Sequence, residues 1–276
     1  MEDSKHIKYS DDWQMNDTVQ MYRDFGPCIM EATISDELYH ILWSNALKLR
    51  EQKRPETDHR NFLAGNIAEE YAYVNQFSEE EEKRVENEML WFAREYSHRA
   101  TMGFGVKLPH DIKEYSDIKL VKPMWVNFQK KHEWNPPHTH TGALSCVIYL
   151  KAPYDINMEN GVNESNKYSN TPSAGKIYLS YGQAMPYSSN SVLHTPKEKK
   201  ILVFPAWLEH QVFPFQSDVE RVSVSGNFIS SRKITHGDSI PQQERKNNVR
   251  IIRSRINILF IYGISIYYTS ISISEI

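Results

Sequence analysis

The sequence lacks several features that mark large classes of protein. It has only two cysteines among 276 residues, Cys28 and Cys146. Neither belongs to a Cys-x-x-Cys pair, so a disulfide-dense scaffold and a thiolate zinc site are excluded and a reducing compartment is favoured. No apolar run of about 18 residues, the length that spans a bilayer, occurs before Asn248. Lys and Arg number 32 against 35 Asp and Glu, so the basic excess of a general nucleic-acid binder is missing.

The two ends of the chain differ from its middle. Residues 1–22 are polar and contain no apolar segment typical of a signal peptide. Residues 251–276 contain ten Ile and five Ser but no Ala or Val. Arginines precede this stretch, which raises the alternative of a membrane tail, but serines, Asn257 and Glu275 interrupt it. We therefore expect a polar extension over 1–22, one folded domain over 23–232 and a non-domain tail over 233–276.

Apolar residues at helical spacing predict helices in the first half of the chain. The first predicted helix covers Ser35–Leu49, with Ser35 as its N-cap. The second covers Ser78–Tyr96, where Ser78 and Glu81 have the spacing of a capping box. The segment Leu63–Val74 is also predicted to contain a short helix.

From about residue 118 the apolar pattern changes to period two, which indicates β-strands. In Val121–Gln129, Met124, Val126 and Phe128 share one face, and Trp125, Asn127 and Gln129 share the other. Further predicted strands are 25–32, 144–150, 176–181, 201–206 and 219–229. Short strands joined by irregular loops predict a mainly β (α+β) protein, a sandwich or barrel of jelly-roll type with the N-terminal helices packed outside.

Three histidines are candidate metal ligands. His138 and His140 are two residues apart on an extended segment, so their side chains project to the same side. His210 follows the Phe204-Pro205 corner, and only a fold can bring it close to the first pair. Each histidine taken alone is as readily explained as an ordinary turn or core residue.

The strand Val219–Ile229 adds a candidate anion site. Its apolar alternate positions are expected to face the core, which leaves Arg221, Ser223, Ser225 and Asn227 in a row on the other face. An ordinary solvated face is one interpretation of this row. The other is that the Arg221 guanidinium and the Ser223 hydroxyl bind a carboxylate.

Taken together, these motifs resemble the 2-oxoglutarate/Fe(II)-dependent oxygenase superfamily, and within it a branch associated with phages and bacteria. The similarity runs from about Phe25 to Phe228. It rests on the order of its motifs, which read Trp125-Val126-Asn127, Pro136-Pro137-His138-Thr139-His140, Ser145-Cys146-Val147-Ile148-Tyr149, Phe204-Pro205 through His210, and Arg221-Val222-Ser223 through Asn227. The resemblance implies a double-stranded β-helix (jelly-roll, cupin-like) core and a cytoplasmic enzyme, in the host cytoplasm if a phage encodes it.

The resemblance also implies the cofactors and residue roles. Fe(II) is expected on His138, His140 and His210, with 2-oxoglutarate as cosubstrate and O2 as oxidant. Arg221, helped by Ser223, is expected to bind the distal carboxylate of 2-oxoglutarate, and Tyr149 or Asn127 to donate a further hydrogen bond to it. Loops 157–173 and 183–195 are candidates for a substrate lid, and Trp125, Trp134 and Trp207 for the substrate mouth. His40, His98 and His194 receive no role.

One position departs from the superfamily pattern. The second metal ligand is usually Asp or Glu, but here it is His140, with Glu209 and Asp155 as less favoured substitutes. A three-histidine site leaves two alternatives open: a cupin-like metal-dependent oxygenase that does not use 2-oxoglutarate, and a non-catalytic jelly-roll binding or structural protein. The prime substrate, a small molecule or a macromolecule's side chain, and the oligomeric state are left open. No membrane partner and no general nucleic-acid partner are expected.

Overall fold

A computed structural model of the chain describes residues 19–22, 26–109, 111–153, 155, 159 and 171–231. Its two long helices are α1 (Asp36–Gln52) and α2 (Glu79–Phe104). Both predicted caps are confirmed: the Ser35 hydroxyl accepts from the Leu38 N–H, and Ser78 and Glu81 form a reciprocal capping box. These bonds satisfy backbone N–H groups that have no partner inside the helix. Helix α2 continues beyond its predicted end at Tyr96 as far as Phe104. Gly105 caps its C-terminus in a left-handed conformation.

The strands of the described residues form two antiparallel sheets. The larger sheet has the strand order β1-β2-β10-β7-β12-β5-β3, with β4 beside β12. The smaller sheet has the order β6-β11-β8-β9. The strand bounds are β1 Gln20–Tyr22, β2 Ile29–Thr33, β3 Glu69–Ala72, β4 Ile118–Leu120, β5 Trp125–Lys130, β6 Asn135–His138, β7 Leu144–Lys151, β8 Ile177–Ser180, β9 Ser191–His194, β10 Lys200–Pro205, β11 Glu209–Val212 and β12 Glu220–Ser230.

Two apolar clusters place the sheets and helices. The larger cluster packs helix residues such as Leu42 and Phe92 against Val126, Phe128 and Val224 of the larger sheet. The smaller cluster joins residues of both sheets: Ile29, Tyr149, Ile177, Leu179, Leu202, Phe204 and Leu208. The two sheets therefore face each other, and the helices cover the outer face of the larger one. This is the predicted double-stranded β-helix with its helices outside.

The predicted face assignments on β5 and β12 are confirmed. Val126 and Phe128 are buried on the helix side, and the register pairs Asn127 with Ser223 and Gln129 with Arg221. Directly paired residues of neighbouring strands have their side chains on the same face. The polar row of β12 therefore points between the sheets, together with the polar row of β5.

The prediction of a short helix over Leu63–Val74 is wrong. Strand β3 occupies Glu69–Ala72 and pairs with β5, and a short 3₁₀ turn precedes it at Arg60–Phe62. The pairing edge offered by β5 outweighs a weak local helix preference, and the alternation of half-buried and buried residues in β3 fits a sheet edge.

Several other expectations also meet the described structure. The candidate lid 183–195 includes β9, so its last part is a strand. Most of the candidate lid 157–173 lies outside the described residues, as does the tail 233–276. Cys28 and Cys146 are both buried, and they form no disulfide with each other. Among the described residues, no helix has the length and apolar character needed to cross a membrane.

Candidate metal centre and cosubstrate site

Three imidazoles converge at one end of the smaller sheet. His138 at the end of β6 lies directly opposite His210 on β11 in the antiparallel register. His140 follows two residues after β6, and its N–H donates to the Ala206 carbonyl at 2.8 Å. The ring centroids are 4.2 Å (His138–His210), 5.0 Å (His138–His140) and 5.1 Å (His140–His210) apart. One ligand atom from each ring lies within 4.8 Å of the others, a spacing that suits a single metal ion.

The surroundings of the histidines prepare them as ligands. The Nδ1 atoms of His138 and His210 lie 2.6 Å and 2.9 Å from the carbonyls of Pro136 and Leu208. If these Nδ1 atoms carry the proton, each Nε2 lone pair is free for a metal. Burial lowers the pKa of all three rings, to about 3 for His140. Neutral imidazole is the form that binds metal ions.

Arg221 lies inside the barrel without a carboxylate partner among the described residues. It is only 3% exposed, its Nη1 donates to the Gly175 carbonyl at 2.9 Å, and its Nη2 donates to Oε1 of Gln129. Its Nε has no hydrogen-bond partner. A buried guanidinium with a free N–H and no counter-ion is a natural binding group for an incoming carboxylate.

The other predicted cosubstrate residues lie in the same part of the barrel. Ser223 pairs in register with Asn127 on one side and with Tyr149 on the other. All three are buried, and the Arg221 Cζ lies 5.9 Å from the centre of the Tyr149 ring. The fold therefore brings the four residues predicted to bind 2-oxoglutarate onto one inner face of the larger sheet.

The substitute carboxylates do not join the histidine cluster. Glu209 is exposed and accepts a hydrogen bond from the Ser180 hydroxyl at 3.0 Å. Asp155 is exposed as well. Within the described part of the chain, the His138–His140–His210 group is therefore composed of histidines alone.

The three tryptophans take different positions. The Trp125 ring lies 5.8 Å from that of His140, so it borders the histidine cluster directly. Trp134 and Trp207 are exposed, and Trp207 contacts the ring of Tyr181 at 5.4 Å. Of the three, Trp125 has the contact expected of a residue at the mouth of the site.

Sequence reasoning missed three residues around the site. Gln129 accepts a hydrogen bond from the Arg221 guanidinium. The alternation along β5 places Gln129 on the polar face but does not predict this contact. His59 stacks on Trp125 at 5.3 Å. Glu70 is a buried acid on β3. The wrong helix prediction for residues 63–74 hid the position of Glu70, and His59 lay in a charged segment without a recognisable pattern.

The fold and the site together describe a double-stranded β-helix that has three histidines suited to a metal ion at one end and the buried Arg221 inside. A family model described as "Putative 2OG-Fe(II) oxygenase" matches residues 123–227. The match includes all three clustered histidines and Arg221. Residues 123–227 of the chain are therefore similar to the 2OG-Fe(II) oxygenase family. Enzymes of this family in general use Fe(II), 2-oxoglutarate and O2.

Solved structures with a similar chain course share little sequence with this protein. A prolyl-4-hydroxylase of Pseudomonas putida is 13% identical, with 75% of this chain and 93% of that chain covered and a TM-score of 0.42. A prolyl hydroxylase of Trichoplax adhaerens, solved with a peptide fragment, is 11% identical, with 74% and 84% covered and a TM-score of 0.45. AviO1 of Streptomyces viridochromogenes is 10% identical, with 77% and 93% covered and a TM-score of 0.46. No curated protein sequence matches the chain significantly.

Proposed function

We propose that the protein is a non-haem Fe(II)- and 2-oxoglutarate-dependent hydroxylase in which His138, His140 and His210 bind the iron. The convergence of their ligand atoms within 4.8 Å carries this proposal. Three neutral imidazoles suit iron, and the carbonyl contacts at Nδ1 orient two of them. Bound iron would supply the activation of O2 that accompanies oxidative decarboxylation of 2-oxoglutarate to succinate and carbon dioxide.

The chain's own residues bind and orient the cosubstrate. Arg221 is proposed to hold the distal carboxylate of 2-oxoglutarate through its unpartnered Nε and its neighbouring N–H groups, with the Ser223 hydroxyl beside it. Gln129 and the Gly175 carbonyl already hold two guanidinium nitrogens, so the group is pre-organised for its ligand. Asn127 or Tyr149 is proposed to donate the next hydrogen bond along the cosubstrate.

A three-histidine site also fits an oxygenase whose substrate alone binds the metal. Arg221 is buried and has no carboxylate partner among the residues that the structure describes. This favours the 2-oxoglutarate-dependent reaction over that alternative, because burial of an unpaired charge is costly unless a ligand completes it. A non-catalytic jelly roll has no need for either feature.

The setting of this activity is also part of the proposal. We place the enzyme in the cytoplasm, that of the host if a phage encodes it, with neither a membrane nor nucleic acid in general as a partner. The near-neutral charge balance of 32 basic to 35 acidic residues supports this setting, as do the two buried cysteines, which form no disulfide with each other.

Succinate formation tests the proposed reaction. Purified protein is incubated with Fe(II), 2-oxoglutarate and O2, and succinate is quantified in the wild type and in His210→Ala. The matched control is His98→Ala, which removes a histidine of α2 that lies away from the cluster. We expect succinate from the wild type and from the control but not from His210→Ala. Equal succinate release in all three proteins would contradict the proposal.

A further inference from the structure

Glu70 is a buried acid on the same inner face as the proposed cosubstrate residues. Its register partner on β5 is Asn127, which pairs in turn with Ser223 on β12. The three side chains therefore form one row across the larger sheet. Glu70 is only 2% exposed, and its Oε1 has no hydrogen-bond partner within the described part of the chain. The Asn127 Oδ1 beside it is buried and without a partner as well.

No cation of the described residues neutralises Glu70. Burial raises the pKa of Glu70 to about 8, and the negative charge of Asp58 adds to this effect. The neighbouring Arg60 pairs with Asp58: its Nε donates to Oδ1 at 2.9 Å and its Nη2 donates to Oδ2 at 2.6 Å. A buried acceptor with no donor is costly and rare. The two acceptors at Glu70 and Asn127 are adjacent, so a cationic ligand at this place would supply donors to both and would hold Glu70 as a carboxylate.

An aromatic wall connects this position with the histidine cluster. The His59 N–H donates to the Glu70 carbonyl at 3.1 Å, and the His59 ring stacks on Trp125 at 5.3 Å and an interplanar angle of 27°. Trp125 in turn borders His140. On the outer side of His59 stacks Phe62, which is exposed. The rings thus extend from the protein surface to the proposed metal ligands. The Glu70 backbone is joined to this row by its hydrogen bond with the His59 N–H.

The Glu70 side chain lies on the same inner face as Trp125, which is two residues from its register partner Asn127. A carboxyl group and an aromatic ring on one face can recognise a cationic nitrogen, through charge-assisted hydrogen bonds and contact with the ring face. We infer that Glu70, with Asn127 and Trp125, forms a substrate subsite for an ammonium or guanidinium group, and that His59 supports the Trp125 ring from behind. This inference rests on the proposed function, because it gives that site its substrate class: a compound or a side chain that carries a basic nitrogen. The arrangement then directs a neighbouring C–H group of the substrate to the metal centre.

Calorimetric titration with matched probes tests the subsite. The cationic probes are Nα-acetyl-lysine methylamide and Nα-acetyl-arginine methylamide. Their neutral counterparts are the norleucine and citrulline analogues, which have nearly the same shape. We expect the wild type to bind at least one cationic probe about tenfold or more tightly than its neutral counterpart, the size of effect that a charge-assisted hydrogen bond supports. Titration of free lysine and free arginine separates a small-molecule substrate from a side chain within a polypeptide.

Glu70→Gln should reduce that preference to about twofold or less, because glutamine keeps the shape but cannot become the carboxylate that a bound cation stabilises. Glu69→Gln is the matched control. Glu69 pairs with Arg50 of α1 on the opposite face of β3, so its replacement should leave the preference unchanged. Equal binding of cationic and neutral probes by the wild type, no binding of either, or an unchanged preference in Glu70→Gln would overturn the subsite.

The titrations are made on the full chain with and without Fe(II) and 2-oxoglutarate under anaerobic conditions. The charge-transfer absorption of Fe(II)-bound 2-oxoglutarate is recorded in parallel. A protein that shows the absorption but no cation preference retains the proposed function and loses the subsite. A protein that shows the preference but no absorption retains the subsite and loses the proposed function.

Discussion

His138 and His210 lie directly opposite each other on the antiparallel strands β6 and β11, with ring centroids 4.2 Å apart. These residues are far apart in the sequence, so the pair exists only once the smaller sheet has formed. His140 joins them because its backbone N–H is fixed to the Ala206 carbonyl just before β11. The register of one strand pair, together with one backbone hydrogen bond, therefore builds the candidate metal centre.

Removal of one clustered histidine should abolish metal-dependent stabilisation. Fe(II) or a redox-inert substitute such as Mn(II) is expected to raise the melting temperature of the wild type, because a ligand that binds the folded state stabilises it. In His138→Ala the shift should fall to near zero, since two imidazoles hold a metal much more weakly than three. Differential scanning fluorimetry with and without metal measures this. A full shift in His138→Ala would contradict the assignment of His138, and His40→Ala serves as the control.

Gln129→Glu should impair the use of 2-oxoglutarate without unfolding the protein. Gln129 accepts a hydrogen bond from the Arg221 guanidinium inside the barrel. A carboxylate in its place would neutralise Arg221 and compete with the distal carboxylate of the cosubstrate. We expect the 2-oxoglutarate concentration for half-maximal succinate formation to rise about tenfold or more, since charge-assisted bonds are worth this much. An unchanged concentration dependence would show that Arg221 does not bind the cosubstrate.

Glu70→Gln should change how stability depends on pH. The folded protein holds the pKa of Glu70 near 8, against an ordinary value of 4.5, mainly through burial. Between these values the unfolded chain releases a proton that the folded chain retains, so the wild type loses stability as pH rises from about 4.5 to about 8. The slope from this group is at most about 1.4 kcal/mol per pH unit.

The glutamine variant lacks that slope and should be more stable than the wild type near pH 8, with little difference near pH 4.5. Urea unfolding at several pH values measures the change. Asp58 and His59, which adjoin Glu70, titrate in both proteins, so the difference between wild type and variant isolates Glu70. Parallel stability profiles for the two proteins would contradict the environment assigned to Glu70.

Truncation after Arg232 should leave succinate formation intact. Every residue assigned to the site precedes Ser230, where β12 ends, and the Ile-rich stretch 251–276 follows much later. We expect the shortened chain to be at least as soluble as the full one, because removal of an Ile-rich segment of high β-propensity lowers the tendency to aggregate. Loss of soluble, active protein on truncation would show that the segment 233–276 has a structural role.

The parts of the fold that the sequence predicted are those where local pattern and tertiary packing agree. Ser35 and Ser78 cap helices by local hydrogen bonds, and the alternation from Met124 to Gln129 survives because one face of β5 packs on the helices. By contrast, Glu69–Ala72 forms a strand only because β5 offers it an edge. A short segment carries no local signal for that partner.

The candidate site shows the same division. The two-residue spacing of His138 and His140 and the alternation along β12 placed the candidate ligands and Arg221 on the correct faces. The contacts that complete the site, Gln129 with Arg221 and His59 with Trp125, join segments that are distant in sequence. Without the register of the sheets, neither contact could be read from the residues alone.

The most direct test of the account is the binding of 2-oxoglutarate to the Fe(II)-loaded protein under anaerobic conditions, followed by its charge-transfer absorption. The account predicts saturable binding by the wild type and at least about tenfold weaker binding by Arg221→Gln, which loses its charged hydrogen bonds to the distal carboxylate. Arg99→Gln, a change at an exposed arginine on α2, should bind like the wild type. Absence of the absorption in the Fe(II)-loaded wild type, or equal affinity in Arg221→Gln, would contradict the account.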